Sequence, residues 1–180
     1  MIFFRKYGII RNRLGVLVDM IINLKSFSIT NYDNKVSENV KFLEEIKKDE
    51  EITKNLEDVP DSLERSIGLS NLRLNISYLV KQEEAAIGLV RLAKKNSNCH
   101  DISVDIAIHP LFRRKGYGTI LLKEISDYIL TNSTLIKNIK LDIASSNKNA
   151  AKLAAKANFK LEGYVELSDN KGHLLYCKHK

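Results

Sequence analysis

Hydrophobic positions along the 180-residue chain recur with two periods, two and about three and a half, and the alternation between them outlines an α/β domain. Met20 opens IINLKSFSI, which reads as a first strand. From Ser37 to Lys54, Val40, Phe42, Leu43 and Ile46 fall on one face of a helix whose other face is charged. Pro60 and Asp61, followed by SLERSI, predict a second short helix beginning near Ser62. Ile76 to Val80 and Ala86 to Leu92 then read as two strands joined by a polar turn at Gln82 to Glu84. In the next strand Ile102, Val104, Ile106 and Ile108 alternate with Ser103, Asp105 and Ala107, and Pro110 stops it.

The same reading continues to the C-terminus. Leu121, Leu122, Ile125, Tyr128 and Ile129 form a helical stripe, with Lys123, Glu124, Ser126 and Asp127 on the other side. Ile136 to Ile143 supply a strand, and Asn147 opens a small-residue helix through Ala150, Ala151, Ala154 and Ala155. Asn158 is placed to close that helix in a left-handed turn. Phe159 to Glu166 and Leu174 to Lys178 predict a final hairpin around Asp169 to Gly172.

Between the strand that ends at Pro110 and the helix that follows lies Arg113-Arg114-Lys115-Gly116-Tyr117-Gly118. Glycines there let the backbone turn sharply and approach a ligand, and the amides that follow are the unpaired donors of a helix start, where an anion is favoured. The run is therefore a phosphate cradle. Two other phosphate loops are excluded. A nucleotide P-loop needs Gly-Lys-Ser/Thr, whereas Gly116 is followed by Tyr117 and Gly118 by Thr119. A dinucleotide fingerprint needs a third glycine where Leu121 stands.

Composition narrows the class further. The hydrophobic residues, 44% of the chain, are dispersed among 28% charged ones, and no apolar run reaches the ~20 residues of a bilayer span. Cys99 and Cys177 fit neither a disulfide framework nor a zinc pattern, so no metal and a reducing, cytoplasmic setting are expected. His109, before Pro110, reads as a turn residue. The net charge is +7, to which residues 1–19 contribute +3 through Arg5, Lys6, Arg11 and Arg13 against Asp19. Those residues read as a basic arm or as a start placed too far upstream, with the domain proper over residues 20–180. The charge leaves a nucleic-acid partner open without favouring one.

The segment DIAIHPLFRRKGYGTILLKEI resembles the central motif of the GNAT superfamily of N-acetyltransferases, whose RxxGxG turn between strand and helix holds acetyl-CoA. NKNAAKLAAKANFKLEGYVE and GHLLYCKHK are similar to the closing segments of the ribosomal-protein type within that family, and the likeness spans roughly residues 76–178. It implies an α/β fold with a central, twisted, mixed and mostly antiparallel sheet flanked by helices. It also implies acetyl transfer from acetyl-CoA to a primary amine, directly and without a covalent enzyme intermediate. By the resemblance, the backbone of Ile106, Ala107 and Ile108 pairs with the pantetheine arm. The amides from Arg114 through Lys115, Gly116, Tyr117 and Gly118 to Thr119 hold the pyrophosphate, with Arg113, Arg114 and Lys115 adding positive charge. Asn147 has two readings, a bond to pantetheine or a helix cap.

The chain also departs from the family. Ala154 stands where many members carry a tyrosine that protonates the thiolate, and Ala150 where the ribosomal-protein type often carries serine. Protonation is left to water or to a residue such as Tyr164 or Tyr176, both of which also read as strand residues. Ser103 replaces a frequent glutamate, and Asp105, on the same face as Asp101 by strand parity, is the expected catalytic residue, acting through water. A protein N-terminus, a polyamine or an antibiotic amine suits as acceptor, and a monomer or homodimer as assembly. Two alternatives are a CoA-binding module without catalysis and an enzyme acetylating charged transfer RNA.

Overall fold

The computed structural model describes residues 22–31, 35–55, 74–94, 99–166 and 172–180. Among these residues eight strands form one sheet: β1 (Ile22–Asn23), β2 (Ser28–Asn31), β3 (Leu74–Gln82), β4 (Ala85–Lys94), β5 (Asp101–Ile108), β6 (Asn138–Ala144), β7 (Lys160–Glu166) and β8 (Gly172–His179). Four α-helices accompany them: α1 (Ser37–Lys47), α2 (Glu50–Asn55), α3 (Tyr117–Asn132) and α4 (Lys148–Lys156). The sheet order is β1-β2-β3-β4-β5-β6-β8-β7, antiparallel at every junction except β5 with β6, which are parallel. No described helix is long and apolar enough to cross a membrane. The arm at residues 1–19 and the short helix expected from Ser62 lie outside the described residues.

Side-chain alternation gives the sheet two apolar faces. On one, α3 and α4 cover Ile102, Val104, Ile139, Leu141 and Ile143, among others. On the other, α1 and α2 set Leu43, Ile46 and Ile52 against Leu79, Leu89 and Ala107. α3 buries Leu121, Leu122, Ile125, Ile129 and Leu130, each worth roughly 1.5–3 kcal/mol relative to exposure. Ser126, which the periodicity assigns to the outer side, is buried as well. Its hydroxyl donates to the Lys123 carbonyl and accepts from Lys178 Nζ, and these partners satisfy a polar group that burial would otherwise penalise.

Two segments break where hydropathy alone runs on. The first strand is instead the hairpin β1–β2. Lys25 and Ser26 turn the chain, and Ser26 is fixed by its amide and hydroxyl to the Glu124 carboxylate of α3, at 3.0 and 2.6 Å. The charged helix from Ser37 divides at Lys48 and Asp49. There Asp49 Oδ1 accepts from the Ile52 amide at 2.9 Å and so starts α2 afresh. Three other expected turns hold, while the one expected around Asp169 lies outside the described residues. Glu83 takes φ 54° in the β3–β4 turn, Asn158 takes φ 67° after α4, and His109 Nδ1 accepts from the Leu111 amide at 3.4 Å.

Arg113 ties the α1–α2 corner to the rest. Its Nη1 and Nη2 reach Glu51 and Asp49 at 2.9 and 2.8 Å, while its Nε donates to the Ile108 carbonyl at 3.0 Å. The guanidinium bond holds the Asp49 carboxyl below the usual aspartate range. A carboxyl depressed in the folded state stabilises the fold above its unfolded pKa, about 4, and that contribution is lost as pH falls through the lowered value. Arg113→Met should therefore be less stable than the native protein at pH 7, and the gap between their denaturant midpoints should narrow toward about pH 3. A gap that is constant with pH would show that the ion pairs contribute nothing.

Candidate active site

The ladder between β5 and β6 covers only Asp101, Ser103 and the residue between them, paired with Asn138 to Lys140. Beyond it the two strands part. β5 stays with β4, paired through Ile108, and β6 stays with β8, paired through Ala144. The gap is a cleft of about 430 Å³, walled by Val104–Ile108 and Leu141–Ala144, floored by the start of α3 and one side of α4, and met by Glu51 and Ile52 of α2. Along its outer edge β5 pairs with no strand from Val104 to Ile108 among the described residues. Of the backbone groups turned to that edge, the Ile108 carbonyl is taken by Arg113 Nε, and the others are open to an extended ligand.

At one end of the cleft lies the glycine turn. Arg114 and Gly116 both take left-handed φ, 63° and 82°, an alternation that turns successive amides inward as an anion nest. The amides of Arg114, Lys115, Gly116, Tyr117 and Gly118 donate to no acceptor among the described residues. Those of Thr119 and Ile120 close the first helical turn on the Gly116 carbonyl at 3.0 and 3.2 Å, so the free run stops at Gly118. A Cβ added at Gly116 would enter open space, whereas one added at Gly118 would sit 2.8 Å from Leu153 Cδ1. A diphosphate fits this cradle.

The positive charge around the cradle is arranged differently from its order in sequence. Arg113 is occupied by Asp49 and Glu51, and Lys115 lies 5.3 Å over the Phe112 ring, outside the cleft. Arg114 lines the cleft, and Lys152 and Lys156 of α4 join it. The lysine pair was legible as an i, i+4 repeat on the small helix, but only the fold says which way that face turns. Asn147 Oδ1 caps α4 by accepting from the Ala150 amide at 3.0 Å. The residue lines the cleft, and its side-chain amide hydrogens have no acceptor among the described residues.

The other end of the cleft is acidic. Asp105 and Asp142 stand on its two walls. Asp105 Oδ2 receives Arg91 Nε and Nη2, both at 2.7 Å, across the β4–β5 ladder. Asp142 Oδ1 meets His173 Nδ1 at 2.6 Å. Asp101, expected beside Asp105, belongs to the closed part of the ladder. There Lys140 and Asn138 bond to it, and the lysine above all holds its carboxyl below the usual range. Ala150 lines the cleft, Ala154 is buried beneath α4, and neither Tyr164 nor Tyr176 reaches the cleft. Away from it, Glu162, Cys177 and His179 bring donor atoms within 4.8 Å of one another. The His179 ring is already engaged by Glu162 at 2.6 Å and Asn138 at 2.8 Å, and burial pushes the Cys177 thiol up to about 11.

No curated protein matches the sequence. Solved structures do. A GNAT-family acetyltransferase from Bacillus anthracis superposes with TM-score 0.72 at 16% identity, covering 89% of this chain and 98% of its own. RimL, a ribosomal α-N-protein acetyltransferase in complex with coenzyme A, gives 0.69 at 12% identity over 89% and 98%. The aminoglycoside acetyltransferase AAC(6')-Ib, in a complex that contains acetyl-CoA, gives 0.65 at 16% over 87% and 94%. At these identities the likeness is one of fold. Residues 40–159 match the acetyltransferase (GNAT) family, two thirds of the chain and nearly all the residues that form the cleft, so the chain belongs to that family and is an acyltransferase that works through acetyl-CoA.

Proposed function

We propose that this protein transfers the acetyl group of acetyl-CoA to a primary amine of a cationic acceptor, with both substrates bound together in the cleft. The observation that carries the reading is the polarity of that cleft. Free amides with Arg114, Lys152 and Lys156 stand at one end, and Asp105 with Asp142 at the other. The first end suits a polyanion and the second an ammonium group. Between them the unpaired edge at Ile106, Ala107 and Ile108 offers strand-like bonds to the amide-bearing pantetheine arm, and Asn147 adds a side-chain donor. An amine in a polyamine, an antibiotic or a protein N-terminus meets these requirements.

Acetyl-CoA supplies an activated thioester; the chain must place the amine, relieve it of a proton and stabilise charge on the carbonyl oxygen. In our reading Asp105, fixed by Arg91, orients the water through which the amine loses its proton before the C–N bond forms. As the C–S bond breaks, the leaving thiolate takes a proton from water, because Ala150 and Ala154 offer none.

Two outcomes test the assignment. Gly116→Val should remain folded, at a cost of about 1–3 kcal/mol for a side chain in left-handed backbone, yet lose CoA affinity, because the added carbons fill the cradle. Calorimetric titration with acetyl-CoA measures it, and the native affinity should fall as salt rises. Asp105→Asn should slow CoA release with an accepted amine by about 10²-fold while leaving CoA affinity unchanged. Tight CoA binding with no turnover on any amine would instead favour a binding module.

A further inference from the structure

We propose that His173, held by Asp142 behind the lip of the cleft that faces Asp105, takes the proton that the acceptor amine gives up; the ring does not itself line the cleft and is reached past Asp142, and the inference rests on the acetyl-transfer reading above. β5 and β6 are parallel and in register as far as Ser103 and Lys140. The next residues on that face, Asp105 and Asp142, therefore stand at matching heights on the two lips of the opening, and both line it. Asp105 has its Oδ2 filled by Arg91. Asp142 is 64% exposed and holds His173 Nδ1 at 2.6 Å. Register sets His173 opposite Ala144, so ring and carboxylate share the face turned away from α3 and α4.

A carboxylate on Nδ1 selects the tautomer with its proton there and leaves the Nε2 lone pair bare. Among the described residues Nε2 has no partner. An imidazole is matched to proton removal near neutral pH far better than a carboxylate of ordinary pKa about 4, and Asp142 offsets the imidazolium that results. The balance is simple. The amine proton passes through the water held by Asp105 to Nε2, the free amine attacks, and His173 later returns the proton to solvent. From α2, which packs on this face of the sheet, Glu51 lines the cleft and is paired with Arg113, itself bound to Asp49. Besides Asp142, β6 carries Lys140, paired with Asp101 of β5. β8 carries Cys177 and His179, the latter paired with Glu162 of β7. Across the gap stand Asp105 and Arg91.

The test uses the full chain, with CoA release from acetyl-CoA followed against kanamycin, spermidine and a peptide with a free N-terminus. With whichever amine is accepted, His173→Gln should lower kcat by about 10²-fold or more and leave the Kd for CoA unchanged. The acid limb of the native kcat/KM profile should vanish with it. Asp142→Asn, which frees the wrong tautomer, should lower the rate and keep CoA affinity. A His173→Gln protein with native rate and an intact acid limb overturns the proposal. Nitrogen NMR of the native imidazole decides independently of any acceptor. Protonated Nδ1 with bare Nε2 is expected, and the opposite tautomer overturns it. Native protein inert toward all three amines would count against the acceptor class, with the NMR result still deciding the role of His173.

Discussion

Everything in the site follows from the separation of β5 and β6. A sheet gains by pairing every strand edge, and unpaired amides and carbonyls away from water are costly. Here the pairing stops after Ser103 and Lys140 because each strand keeps a different partner, β4 on one side and β8 on the other. Beneath the gap, α3 and α4 come together where Gly118 meets Leu153, and that contact floors the opening without filling it. The exposed strand edge, the glycine turn at the start of α3 and the capped start of α4 all face the same space as a result.

The separation also sorts charge. Arg114 of the glycine turn and Lys152 and Lys156 of α4 bring positive charge to one end, and Asp105 of β5 and Asp142 of β6 bring negative charge to the other, while Glu51 of α2 is offset by Arg113. Arg113 is set apart from this gradient. Its three bonds make it a brace between the glycine turn, the end of β5 and the α1–α2 corner. Through it the α2 side of the cleft is fastened to the glycine turn.

Much of this was legible in the chain itself. The period-two strand at Ile102 to Ile108, the glycine turn, the stripe of α3, the Asn147 cap and the left-handed Asn158 are local features, set by sterics and nearby hydrogen bonds. What escaped depends on partners far away in sequence. No local pattern says that Ser26 bonds to Glu124 and bends the first strand into a hairpin, or that Lys178 lies over Ser126. Nor does it show that Arg113 is consumed by Asp49 and Glu51 while Lys152 and Lys156 inherit the cleft. The pairing of Asp142 with His173 joins residues 31 positions apart and was invisible for the same reason.

The cradle at the glycine turn consists of main-chain amides, and an amide is the same in every residue but proline. Natural selection can then replace nearly all the surrounding side chains so long as the turn keeps its shape, with glycine at its left-handed bend and room beside Leu153. Relatives at 12% and 16% identity can share one backbone architecture on those terms. The acidic end is built from side chains and has no such freedom, so divergence in this family should leave the donor site legible long after the acceptor site has been rewritten.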